Sequence, residues 1–335
     1  MPLSTIIGHR QIVDLLRQAV AHDRVPQSLL LAGPEGVGKH AVAVALAQAV
    51  NCPRRRPASA DACGTCPTCL RIARGQHSDV VVLDKGDDAS IKIRVLRERL
   101  LDVVGYRPFE AARRVYIIDP ADALTLEGQD ALLKTLEEPP PSALVVLVTA
   151  FADALRPTIQ SRCRRLRFGV LSERDLARVL AERAGVDPVK AQILAAVSGG
   201  SVARALAEAA GDLVDDREAA LGLLVAAATG GSPQGRLKAA TAFGQHGSKR
   251  RDREALATRL AIVASLIRDV GTLVLGLGVP GVLANVDLAD PLREVAGGFD
   301  LERVSAAFSA VGRAQTALDR SASPKIVADW VALAI

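Results

Sequence analysis

The chain has 335 residues, 49% of them apolar and only 3% aromatic, so it is too long for one ordinary core and reads as two or three largely helical domains. No apolar run reaches the roughly 18–20 residues of a membrane span, and "MPLSTIIGHRQIV" has no basic stretch ahead of an apolar one, so neither a span nor a signal peptide is expected and the expected location is the cytoplasm. The net charge of +5 leaves two readings open: an acidic partner such as nucleic acid, or a mixed, solvated surface.

In chain order, apolar periodicity predicts a helix over 9–22, a strand at Ser28–Gly33 and a helix over 38–51. A strand at Val80–Asp84, a helix over 91–104 and a strand at Val115–Asp119 follow. Then come a helix over 126–137, a strand at Ala143–Ala150, a short helix over 156–161 and a candidate strand at Arg164–Val170. The first four strands are near-continuous apolar runs, as strands buried on both faces must be, and the alternation with helices predicts a doubly wound parallel sheet. The fifth alternates polar and apolar residues and is expected to be more exposed.

After Leu171 the strand pattern stops. "LSERDLARVLAERAG" reads as an amphipathic helix with Ser172 as N-cap and Gly185 as terminator. Two helices broken at Gly199–Gly200 come next. From about Asp212 the pattern is wholly helical, interrupted by "TGGSPQG" and by the basic "FGQHGSKRRDR". The expected organisation is a nucleotide-fold domain over 1–170, a helical lid over 171–211 and an all-α domain over 212–335.

Gly33–Lys39, "GPEGVGK", matches the phosphate-cradling loop G-x-x-x-x-G-K-[ST] up to its last position. It follows a strand and opens a helix, which favours a phosphate loop over a plain tight turn. Gly36 and Gly38 would let backbone approach phosphate, with the helix N-terminus adding positive potential. The hydroxyl that ligates magnesium in such loops is replaced by His40. Magnesium prefers oxygen ligands in octahedral geometry, so imidazole is a poor substitute. "VYIIDPAD" resembles a Walker-B strand ending at Asp119, yet the next residue, where a glutamate would activate water, is Pro120. Autonomous hydrolysis is therefore not expected.

Between these motifs, "NCPRRRPASADACGTCPTCLRI" places Cys52, Cys63, Cys66 and Cys69 in one polar insertion, 52–70. The C-x10-C-x2-C-x2-C spacing predicts a tetrahedral zinc site of four thiolates, since a segment so poor in apolar residues needs a metal to order it. Free thiols and a redox pair are the weaker readings. Cys163, far away in "IQSRCRRLRF", reads as a packing residue.

Together, "GPEGVGK", the four-cysteine insertion, "RRVYIIDPADALTLEGQDALLKTLEEPPPSALVVLVT" and "LRPTIQSRCRRLRF" resemble the delta-prime subunits of the bacterial DNA polymerase III clamp loader, a family of the AAA+ class. The resemblance covers about residues 1–210; the rest fits in length and class. It implies a ring with tau/gamma-type and delta subunits that places a sliding clamp on primed DNA, with no membrane partner, the C-terminal helices forming the collar. It further implies a stator that does not hydrolyse ATP and binds it weakly or not at all, consistent with His40 and Pro120. Arg162, in Ser161–Arg162–Cys163, would be the arginine finger completing a neighbour's ATP site. Thr149 would stand at the first sensor position and Arg204 at the lid sensor position. Two alternatives remain at this stage: an active tau/gamma-like ATPase, and a stand-alone DNA-binding zinc protein.

Overall fold

The computed structural model describes residues 1–335 apart from 56–59, 87, 89, 210–212, 230–232, 245–248, 278–282 and 320–321. Five segments form strands, the first four largely apolar: β1 (Ser28–Ala32), β2 (Val80–Leu83), β3 (Arg114–Ile118), β4 (Ala143–Thr149) and β5 (Arg164–Arg167). They pair in parallel in the order β2-β3-β4-β1-β5, with Leu30 opposite Leu147 and Arg165, and Tyr116 opposite Val145. Every residue of β1 and β4 is buried, as their unbroken apolar runs demand. β5 closes one edge; only Leu166 of it is buried, and Arg164, Arg165 and Arg167 face outward. All five expected strands are present.

Alternate residues of the strands feed two cores. On one face Leu29, Leu31, Ile117 and Val146 pack with Val13 and Leu16 of α1 (Arg10–Ala21) and Val42 and Leu46 of α2 (Lys39–Asn51). The short α3 (Pro67–Ala73) follows. On the other face Leu30, Tyr116, Ile118 and Val145 meet α4 (Ile93–Leu96), α5 (Leu126–Glu137) and α6 (Pro157–Gln160) through Leu96, Leu132, Leu136 and Ile159. Cys163 lies in this second core, 8% exposed, where burial pushes its thiol up to about 12. It is a packing residue, as expected.

The helix expected over 91–104 is split. α4 gives way at Arg97–Leu101 to a π-helical turn. Val103, Val104 and Gly105 follow, residues poor at extending a helix, and the chain turns away after Val104 is buried.

By contact density the chain divides into Met1–Leu176 with Gly200–Ala203, and Ala177–Gly199 with Arg204–Ile335. Residues of the expected 171–211 lid occur in both. Its helices are α7 (Glu173–Ala184), α8 (Pro188–Val197) and α9 (Val202–Ala209). The Ser172 hydroxyl accepts the Asp175 amide at 3.1 Å, and Gly185 ends α7 with φ +66°, as the sequence indicated.

The rest of the second unit is helical: α10 (Leu213–Ala228), α11 (Pro233–Gly244), α12 (Lys249–Val274), α13 (Ala289–Ala296), α14 (Leu301–Asp319) and α15 (Pro324–Ala334). Residues 230–232 and 245–248 of its two expected interruptions lie outside the described residues. A buried polar network threads its core. Arg259 donates to Asp216 at 2.6 Å and to the Phe243 carbonyl at 2.6 Å, while Asp269 accepts the amides of Ala284 and Asn285. Each charge there has partners, as burial requires. No helix among the described residues is long and apolar enough to cross a membrane.

Candidate functional site

The loop Gly33–Lys39 runs from the end of β1 to the start of α2, with Gly38 as N-cap. Gly33 has φ +155°, and a Cβ there would stand 2.2 Å from the Phe168 carbonyl oxygen. Gly36 has φ +74°, and its Cβ would stand 2.2 Å from Ser201 Oγ. Glycine is therefore required at both positions by the chain's own packing. The Val202 amide donates to the Gly36 carbonyl at 2.8 Å, and His9 Nε2 lies 2.9 Å from the Val37 carbonyl. The loop is thus tied to the Gly200–Ala203 segment and to the entry of α1.

The side chains expected to meet nucleotide are engaged with protein. Lys39 is 6% exposed, and its ammonium donates to the Gly33 carbonyl at 2.6 Å and to the Pro34 carbonyl. Burial depresses its pKa, against the pull of Asp119, Glu35 and Asp122. His40 Nδ1 lies 2.8 Å from Asp119 Oδ2, and this hydrogen bond raises the imidazole pKa. So the histidine at the hydroxyl position contacts the very carboxylate expected to associate with magnesium. Thr149, fully buried at the end of β4, donates its hydroxyl to Asp122, which also accepts the Ala150 amide at 3.3 Å. By its spacing Asp122, two residues past Pro120, does not stand where the water-activating glutamate belongs, and its bond to Thr149 was not foreseen; an acid three residues past Asp119 was the available signal. Pro120 precedes the 3-10 turn Ala121–Ala123.

The cysteine insertion is a second site. The Sγ atoms of Cys52, Cys63, Cys66 and Cys69 all lie within 4.8 Å of one another, and Cys52 Sγ is 4.0 Å from Cys66 Sγ. A tetrahedral ion with metal–sulfur bonds of about 2.3 Å would set sulfurs about 3.8 Å apart, so the four donors fit one metal ion with small contraction. Amides of Cys63, Cys66 and Cys69 point at Cys52, Cys63 and Cys66 sulfurs at 3.3–3.4 Å, the pattern that stabilises thiolates in closely spaced turns. Burial opposes ionisation of Cys63, but the amides of Thr65 and Cys66 outweigh it and bring the thiol down to about 6. Burial pushes Cys52 and Cys69 up, so their ionisation calls for a neutralising cation.

The insertion also grips its surroundings. Buried Asp61 accepts the amides of Leu3 at 2.9 Å and Ser4 at 2.8 Å. Gln48 donates to the Cys69 carbonyl at 2.6 Å. On α3, Arg71 holds Glu110 through two contacts of 2.7 and 2.8 Å. The neighbouring loop is pinned from below by Asp79, whose enclosed carboxylate accepts the amides of Phe109, Glu110 and Ala111 at 2.8–3.0 Å. Burial works against that charge, yet the three amides and Arg114 outweigh it and hold the carboxyl below its usual range.

Arg162 follows α6, apart from both clusters in its bonding. Its side chain is 35% exposed; Nη2 contacts Glu137 Oε1 at 2.6 Å and Nη1 donates to the Thr158 carbonyl at 3.0 Å. Arg204 is exposed on α9 and belongs to the second unit.

Residues 8–172, which hold the sheet, the loop and the cysteine cluster, match the family described as "DNA polymerase III, delta subunit". That stretch is similar to clamp-loader subunits of DNA polymerase III. Its relatives include the delta-prime subunit of Pseudomonas aeruginosa, 38% identical over 180 residues (51% of this chain, 52% of that one). The gamma subunit of Buchnera aphidicola is 34% identical over 175 residues (52% and 47%). The match spans about half the length of these two relatives, and as little as 25% of the tau/gamma subunit of Haemophilus influenzae. A solved Thermotoga maritima gamma subunit-related protein aligns over 90% of this chain and 98% of its own at 20% identity, with a TM-score of 0.39, too low to compare folds.

Proposed function

We propose that this chain is the delta-prime-type, non-hydrolysing member of a DNA polymerase III clamp loader, assembled with tau/gamma-type and delta subunits to place a sliding clamp on primed DNA. The observation that carries this reading over an active ATPase is the His40–Asp119 contact at 2.8 Å. An imidazole stands where a magnesium-ligating hydroxyl belongs and engages the carboxylate the metal would need. Pro120 in place of a water-activating glutamate agrees. Gly33, Gly36, Gly38, Lys39, Asp119, Thr149 and Arg204 are then retained parts of a nucleotide fold whose own ATP binding is weak or absent.

Under this reading Arg162 acts in trans. Its half-exposed guanidinium stabilises charge on the phosphoryl group transferred in an adjacent tau/gamma-type subunit, a contribution worth about 10³–10⁵ in rate for such fingers. The metal of the 52–70 module is zinc, held by Cys52, Cys63, Cys66 and Cys69 as thiolates. All-sulfur tetrahedral donation suits zinc, which here supplies structure and leaves no position open for substrate.

The test is steady-state ATPase of the isolated chain beside that of the assembled complex. The expected result is no turnover alone and DNA-stimulated turnover in the complex. Turnover by the isolated chain that Lys39→Ala abolishes would establish the ATPase reading instead.

A further inference from the structure

The acid that holds Arg162 comes from a different element, the last residue of α5. Glu137 sits at a helix C-terminus, where a carboxylate faces the negative end of the dipole. A half-exposed ion pair contributes little to stability, because solvent screens it and two long side chains must be ordered to form it. The pair is therefore poorly explained as a device for holding the fold together. Its geometry has another consequence.

The guanidinium carries five N–H donors in a rigid plane. Glu137 takes one edge at Nη2 and the Thr158 carbonyl takes Nη1, with Ser161 Oγ at 3.5 Å beside it. Two acceptors on different nitrogens fix both the direction and the roll of the plane. Among the described residues, Nε has no partner in these contacts. Both acceptors stand on a rigid base: Ile159 is fully buried, Gln129 of α5 accepts the Arg156 amide at 2.9 Å, and Gln160 donates to the carbonyls of Ala152 and Leu155 at 2.9 Å. Arg156 and Asp130 add a second bridge between α5 and α6 at 3.1 Å.

We infer that Glu137 is a positioning residue for Arg162: it holds the guanidinium in one orientation, with donors left over, before a neighbouring subunit's phosphate arrives. This rests on the trans-acting role of Arg162 proposed above. An arginine free to rotate loses rotamer entropy when it docks, and immobilising one such side chain costs about 0.5–1.5 kcal/mol. Ordering it beforehand removes that cost from the reaction step, which corresponds to about two- to tenfold in rate.

The experiment uses the complete clamp-loader complex, reconstituted with wild-type chain, Glu137→Ala, Glu137→Gln, Arg162→Ala and the Glu137→Ala/Arg162→Ala double variant. DNA-stimulated ATPase is measured over a range of ATP concentrations, and thermal unfolding of each chain checks its fold. The expected result is a kcat about two- to tenfold lower for Glu137→Ala, with KM for ATP within about twofold of wild type. Glu137→Gln, whose amide oxygen still accepts from Nη2, should recover most of that loss. The double variant should match Arg162→Ala alone, because a positioning residue has nothing left to position. If Arg162→Ala is slow while Glu137→Ala runs at or above the wild-type rate, Glu137 does not position the finger, although the finger stands. An additive loss in the double variant overturns the inference in the same way. If Arg162→Ala itself leaves the rate unchanged, the trans role is wrong and the inference falls with it.

Discussion

The nucleotide loop and the Arg162 edge belong to the same unit and contain similar charged groups, yet those groups are disposed in opposite ways. At the loop the bonds close inward: Lys39 onto carbonyls of its own loop, His40 onto Asp119, Thr149 onto Asp122, and the Val202 amide onto the Gly36 carbonyl. At the edge, Arg162 is oriented by Glu137 and Thr158 but remains 35% exposed. The contrast teaches that a recognisable motif and an available one are different things. A glycine-rich loop can be kept for packing, since Gly33 and Gly36 are needed here to clear Phe168 and Ser201.

Several changes would break or sharpen this contrast, and the largest effect lies outside both regions. Cys66→Ser should remove bound zinc altogether, because structural zinc sites contribute on the order of 10 kcal/mol to ordering their ligand segments. Metal analysis should find about one zinc per wild-type chain and none in the variant. Hydrogen exchange should quicken over 60–73 and at the amides of Leu3 and Ser4, which Asp61 holds, while β3 and β4 stay protected. Exchange equally fast throughout the sheet would mean that the module supports the whole unit.

Asp79→Ala comes next. It strips a buried, charged acceptor from three amides and should lower stability by about 2–3 kcal/mol, read from denaturant unfolding. The Asp79 carboxyl is held below its usual range in the folded state, so its contribution is present at neutral pH and is lost as pH falls through that lowered value. In Asp79→Ala this acid-side loss should be smaller.

Lys39→Ala should cost less, about 1 kcal/mol, since it removes one donor from the carbonyls of Gly33 and Pro34. The smallest effect belongs to His40. Its pKa, raised by Asp119, should appear above the ordinary 6.5 in an NMR titration and drop in Asp119→Asn. The pair's stabilisation is full below the ordinary value and lost as pH rises through the raised one. A His40 titrating at the ordinary value would mean that the imidazole is not bound to Asp119 in solution.

The sheet was legible in the sequence because its strands are buried on both faces, so "SLLLA" and "ALVVLVT" carry no polar interruption. The cysteine cluster was legible because two ligand steps are local, and local spacing survives without knowledge of the fold. The partners that define each site were not legible. Asp61 reaches Leu3 across 58 residues, His40 reaches Asp119 across 79, and Asp122 reaches Thr149 across 27. Such contacts leave no periodic trace in the chain. Nor did the sequence mark Glu137 within "LLKTLEEPP": which of two adjacent glutamates faces Arg162 depends on where α5 ends.

The central claim is that this chain contributes to ATP hydrolysis through Arg162 in a neighbour's site and not through its own loop. Placing Lys39→Ala and Arg162→Ala separately in the complete clamp-loader complex, and measuring DNA-stimulated ATPase at saturating ATP, tests it most directly. The account predicts that Lys39→Ala leaves the rate near wild type, while Arg162→Ala lowers turnover at the site it serves by about 10³. The opposite ranking, with Lys39→Ala abolishing turnover and Arg162→Ala silent, would contradict it.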